Sequence, residues 1–110
     1  MKIKNVKLEW YVLHWDFNTK KVINYNILSG IKDTLVREIR AGHIYDKSIL
    51  REYLKTEFMY NYWCRSEYEF LIVDTHKQDY YEKIDIWRQI EPNLDNIVEY
   101  INAKMDLNFK

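Results

Sequence analysis

The chain of 110 residues holds one cysteine, Cys64, so no internal disulfide can form. That excludes a disulfide-stapled secreted scaffold and points to a reducing cytoplasm. Glycine is almost as scarce, with only Gly30 and Gly42, which leaves no glycine-rich loop to cradle a nucleotide phosphate. Pro92 is the lone proline. So few breakers predict long regular elements joined by short polar turns. No apolar run approaches the ~18 residues of a membrane span, and no charged stretch followed by an apolar one opens the chain, so neither membrane insertion nor secretion is expected. Net charge is also missing, with 17 basic against 17 acidic residues. A neutral pI near 6.8 argues against a dedicated nucleic-acid binder, whose affinity would rest on clustered cations.

What is abundant is ring-bearing side chains: ten Tyr, four Trp and four Phe. With 47% apolar residues the chain can bury enough surface to offset its ordering entropy, and its length suits one domain spanning residues 1–110. Eighteen rings exceed what one modest interior holds, so the sequence predicts an aromatic core with several rings left outside, where Trp and Tyr anchor protein partners. The zero net charge hides an asymmetry. Residues 1–55 carry eleven Lys/Arg against six Asp/Glu, and residues 56–110 carry six against eleven. A polarised surface follows if the halves segregate in space, and cancellation follows if they interleave.

Periodicity divides the chain into seven elements. KLEWYVLHW (7–15) and VINYNIL (22–28) read as strands, and the intervening DFNTKK (16–21) is rich in turn formers, which predicts an antiparallel hairpin. Ser29 is placed to cap a helix from about Ile31 to Ala41, with Ile31, Leu35 and Ile39 on one face and Gly42 to end it. Asp46 is a candidate cap for a second helix in which Ile49, Leu50, Tyr53, Leu54, Glu57, Phe58, Tyr60 and Tyr62 carry the helical pattern, with extra aromatic surface through Trp63. RSEYEFLIVD (65–74) and EKIDIW (82–87) alternate and read as a second hairpin. Ile90, Leu94, Ile97, Val98, Ile101 and Met105 then recur at helical spacing, with Pro92 confined to a first turn or a kink. The expected fold is α+β in the order ββααββα, a four-stranded antiparallel sheet with three helices packed on one face or edge.

The stretches MYNYWCRSEYEF (59–70), KIDIWRQI (83–90), NLDNIVEYI (93–101) and WYVLHWDFN (10–18) together cover most of the chain. They resemble a group of small uncharacterised proteins from phages and mobile elements of Gram-positive bacteria. The resemblance implies a bacterial host cytoplasm and carries over no catalytic residue. It raises the expectation of an accessory protein that binds a host protein and blocks it, an anti-CRISPR or other anti-defence inhibitor being one form.

Several constellations bear on chemistry. His14 with Asp16 and Asp74 with His76 form a mirrored pair at predicted strand ends. Residues two apart on a strand share a face, so the four could ligate one divalent metal, although turn chemistry explains the same residues. Glu67 and Glu69, joined by Asp74 or Asp85, could hold a divalent ion as in nucleases, or could be an ordinary solvated strand face. Cys64 beside Arg65 permits a thiolate nucleophile, but a buried inert thiol is the commoner outcome for that setting. The first expectation is a non-enzymatic, cofactor-free protein-binding accessory protein with Tyr60, Tyr62, Trp63, Glu67 and Glu69 as contacts. A small metal-binding protein or metal-dependent enzyme using His14, Asp16, Asp74 and His76 is the alternative, and a nucleic-acid binder stacking bases on exposed rings is the third. Self-association through an aromatic patch or the C-terminal helix is compatible with the same sequence.

Overall fold

The computed structural model describes residues 2–16, 18–62 and 77–110, with 77–82 described by backbone alone. A hairpin opens the fold, β1 (Tyr11–Asp16) and β2 (Lys21–Asn26), paired antiparallel so that Leu13 lies opposite Asn24 and Trp15 opposite Val22. Helix α1 (Lys32–Arg40) follows, then α2 (Lys47–Tyr62), α3 (Lys77–Ile90), a single 3₁₀ turn (Glu91–Asn93) and α4 (Leu94–Lys104).

The hairpin turn forms where Asp16 can serve it. Its Oδ1 accepts the amides of Asn18 (2.8 Å) and Thr19 (3.3 Å), and Lys20 takes the left-handed conformation at φ 55° to bring the chain back. At the other end Asn26 closes the ladder. Its Oδ1 accepts from Trp10 N and Leu28 N, and its Nδ2 donates to Leu8 O, so one carboxamide ties three backbone groups.

Asp46 caps α2 as expected, its Oδ1 accepting from Ile49 N at 2.8 Å. Gly42 ends α1 as expected: at φ 81° its amide reaches Ile39 O while His43 N reaches Glu38 O, satisfying two orphan carbonyls. The Ser29 cap is a correction. Its hydroxyl donates back to Asn26 O, and Ile31 stands at the N-cap of α1 with no side-chain cap.

The four-stranded sheet is also overturned. Among the described residues the sheet has two strands, β1 and β2. The expected strand at Glu82–Trp87 lies inside α3. Ile84 and Ile86 alternate over so short a span that a strand and a helix fit equally, and the arbiter lies further on. Among the described side chains of α3, Ile86, Trp87 and Ile90 are buried, a spacing of one and four that belongs to a helix face. The other half of the proposed second hairpin, Arg65 to Asp74, lies outside the described residues. Four α-helices, rather than three, accompany the hairpin among the described residues.

The core runs through the helices. Leu50, Leu54 and Phe58 of α2 meet Ile86, Trp87 and Ile90 of α3 and Leu94, Ile97, Val98 and Ile101 of α4, with Leu35 and Ile39 of α1 in the same cluster. Of 21 buried hydrophobic residues only Phe58, Trp87 and Phe109 carry rings, so the described core is aliphatic rather than aromatic. Two ion pairs stitch α2 to α4, Arg51 to Asp95 at 2.7 Å and Lys47 to Glu99 at 2.9 Å. The basic and acidic halves of the sequence therefore interleave here. The N-terminal segment runs alongside, with Lys4 N on Met105 O, Glu9 N on the Tyr100 hydroxyl and Trp10 edge-on to the Tyr100 ring.

A candidate protein-binding surface on the hairpin

Alternation along β1 and β2 sorts the hairpin into two faces. Val12, His14 and Asp16 share one with Tyr25, Ile23 and Lys21, which stand opposite them in the register. This face is the anchored one. Val12 is buried, the His14 ring lies 5.8 Å from that of Tyr25, and Tyr25 meets Tyr62 of α2 edge-on at 6.1 Å. The Tyr62 hydroxyl donates to that of Tyr25 at 3.1 Å, and its ring stands 6.3 Å from Phe58. Burial, then the Tyr25 phenol beside it, hold the Tyr62 phenol well above the ordinary tyrosine range.

The second face is Tyr11, Leu13 and Trp15 on β1, with Val22, Asn24 and Asn26 opposite. Tyr11 is 52% exposed, Leu13 56%, Trp15 41% and Val22 58%, a contiguous apolar patch facing solvent. Single exposed apolar residues are ordinary on a protein surface, whereas four side by side on one sheet face make this a candidate site.

The two edges of the hairpin differ as sharply. On the β1 side, Leu13 N donates to Gln89 Oε1 at 2.8 Å and Gln89 Nε2 donates to Leu13 O at 2.6 Å, so a side-chain amide from α3 pairs with the strand as a neighbouring strand would. This fixes Leu13 and Asn24 as a non-hydrogen-bonded pair across the ladder, and Asn24 and Val22 therefore aim their backbone groups away from β1. Among the described residues no strand pairs with that edge of β2. An apolar face beside an open edge offers both contact area and backbone hydrogen bonds to an incoming chain.

The expected contacts are divided by the geometry. Tyr60 is 74% exposed. Tyr62, two residues on and about 200° around the helix, turns inward instead and locks α2 to the hairpin. Trp63, Glu67 and Glu69 lie outside the described residues. Of the expected metal ligands, His14 and Asp16 share a face, while Asp74 and His76 lie outside the described residues. Asp16 accepts two backbone amides with one oxygen, and those bonds lower its pKa. Its role is turn closure. Among the described residues no group of three or more His, Cys, Asp or Glu is placed to hold a metal. Asp85 is exposed on α3, not on a strand, and Cys64 lies outside the described residues.

Sequence reasoning overlooked Leu13, Val22 and Gln89. Register could have found the first two, because the alternation that buries Val12 obliges Leu13 to face the other way. Gln89 gave no signal. Comparisons with protein-family models, with curated proteins and with solved structures return no match for this chain.

Proposed function

We propose that the chain is a protein-binding module whose docking surface is the outer face of the β1–β2 hairpin. One observation carries this reading: Tyr11, Leu13, Trp15 and Val22 lie exposed side by side while the aliphatic core closes without them. Large rigid rings at such a patch supply buried contact area on docking at small cost in side-chain entropy, which is why Tyr and Trp dominate binding hot spots. The open edge of β2 supports the same reading by supplying backbone donors and acceptors to an extended segment of the partner. The resemblance to small mobile-element proteins suggests the partner's origin, a bacterial host protein such as a component of a nuclease-based defence complex. On this reading the chain acts by occupying that protein's surface and performs no chemistry of its own.

The test is affinity capture from a Gram-positive lysate with the native chain and with Leu13→Asp/Val22→Asp. Loss of a retained protein on the double substitution, with retention by Lys55→Ala, a change on α2, supports the reading. A chain that buries this face in a homodimer by light scattering, and retains nothing at low salt, would sink it.

A further inference from the structure

A groove stands apart from the hairpin patch. The bond from Lys4 N to Met105 O holds the N-terminal segment beside the end of α4, and α1 forms the facing wall. Between them lies a groove of about 450 Å³. Ile3, Val36 and Met105 give it an apolar lining. Lys4, Lys32, Arg37 and Arg40 surround that lining, with Asp33 as the only carboxylate.

Some basic groups elsewhere in the described molecule are held by carboxylates. Lys47, Arg51 and Lys7 each have a carboxylate within 3.0 Å, and His43 has Glu38 at 2.8 Å. Among the described residues, no carboxylate forms an ion pair with Lys4, Lys32, Arg37 or Arg40, and the partner of Lys32 is the neutral Asn5 carboxamide at 3.3 Å. The excess positive charge of the first half of the sequence, cancelled along α2 by α4, is left uncancelled here. Arg37 and Arg40 are three apart on α1, so their guanidiniums rise from one helix face with Cβ atoms about 5–6 Å apart. That spacing suits two planar forks gripping one tetrahedral oxyanion.

We propose that this groove binds a small phosphate monoester with an apolar body. Charge selects the head group. Four cations against one carboxylate match a dianion, and a monoanionic carboxylate would leave most of that field unanswered. The lining selects the body, because the half-buried Ile3 and Val36, backed by the fully buried Met105, offer an apolar ring or chain a contact surface and offer a bare ion nothing. Volume sets the size: about 450 Å³ falls within the roughly 300–1,000 Å³ of small-ligand pockets.

Phenyl phosphate is the probe, titrated into the full chain and followed by amide chemical shifts and calorimetry, beside inorganic phosphate and phenol. Saturable one-to-one binding of phenyl phosphate is expected, with the largest shifts at Lys4, Asn5 and residues 36–40. Inorganic phosphate is expected to bind more weakly and phenol not at all. Arg37→Ala and Arg40→Ala should each weaken binding about tenfold, in line with the loss of a charge-assisted hydrogen bond. Arg40→Glu should abolish it, and rising salt should weaken it throughout. Both arginines are exposed, so the variants are expected to melt as the native chain does. Shifts that do not saturate, affinity unchanged in Arg37→Ala/Arg40→Ala, or phenol binding as well as phenyl phosphate would each overturn the proposal.

Discussion

The helical body and the hairpin solve the same problem in opposite ways. In the body, α2, α3 and α4 turn Leu, Ile and Val inward until residues such as Leu54, Phe58 and Ile97 are wholly enclosed, and charged side chains with Tyr60 remain on the outside. In the hairpin only Val12 is enclosed, apolar residues face water, and hydrogen bonds hold the element in place: Gln89 on one edge, Asn26 at the base and the Tyr62–Tyr25 phenol pair beneath. Burial dominates the first region and directional bonding the second. The hairpin is attached by directional bonds, and Tyr11, Leu13, Trp15 and Val22 on its outer face stay exposed.

Core truncation should break the comparison most visibly. Leu54→Ala or Ile97→Ala removes buried methyl groups where collapse is limited, and each is expected to cost about 2–5 kcal/mol by chemical denaturation. Leu13→Ala, an identical change at an exposed hairpin position, is expected to stay within about 0.5 kcal/mol. Equal losses at Leu54 and Leu13 would mean that the hairpin face is part of the interior.

Next in size is the clasp at the hairpin base. Asn26→Ala leaves Trp10 N, Leu28 N and Leu8 O without their shared partner, at an expected cost of about 1–3 kcal/mol. Gln89→Ala should cost less, about 1 kcal/mol, since water can reach the exposed edge of β1. Hydrogen exchange separates the two. Asn26→Ala should release amides of both strands, and Gln89→Ala chiefly that of Leu13.

Much of this division was legible in the sequence, and its failures have physical causes. The hairpin, the Asp46 cap, the Gly42 stop and the inward face of the last helix all follow from local chemistry acting within a few residues. α3 did not, because its strand-like alternation covers six residues and Trp87 and Ile90, which decide for a helix, sit at and beyond its end. Among the described residues, ring placement was legible only in part: Trp10, Tyr53, Tyr62 and Tyr100 pack against the core beside the buried Phe58, Trp87 and Phe109. Tyr11, Trp15, Tyr45 and Tyr60 lie outside, and composition alone cannot say which rings an aliphatic interior leaves over. At the candidate site, Tyr60 and Tyr62 looked equivalent in sequence. Helical rotation, invisible in a residue count, sends one into solvent and the other under the hairpin.

A smaller effect tests the joint between the two regions by pH. Burial pushes the Tyr53 phenol up from 10.0 to about 12, with Glu57 and Glu38 adding to it, and burial raises Tyr62 as well. Each phenol stays protonated in the folded chain after its unfolded counterpart has begun to ionise. The unfolded state then holds fewer protons, so stability falls with rising pH. The contribution is whole below pH 10 and is lost as pH climbs through about 12. Thermal melts across that range should show Tyr53→Phe and Tyr62→Phe losing less stability than the native chain. Parallel loss in all three would detach these phenols from the alkaline transition.

The smallest effect concerns the ion pairs that join α2 to α4. Arg51 and Asp95 meet at 2.7 Å, yet the Asp95 side chain is largely in water, so desolvation neither penalises the pair nor strengthens it. A double-mutant cycle on Arg51→Ala and Asp95→Ala should give a coupling of about 0.2–1 kcal/mol, diminishing as salt is raised. Such a value would leave the aliphatic core as what holds α2 against α4, with the ion pairs serving mainly to cancel the opposed charges of the two halves. A coupling above about 2 kcal/mol that persists in salt would show the reverse. Electrostatics would then help to hold the body together, and the separation between a packed body and a bonded hairpin would lose its footing.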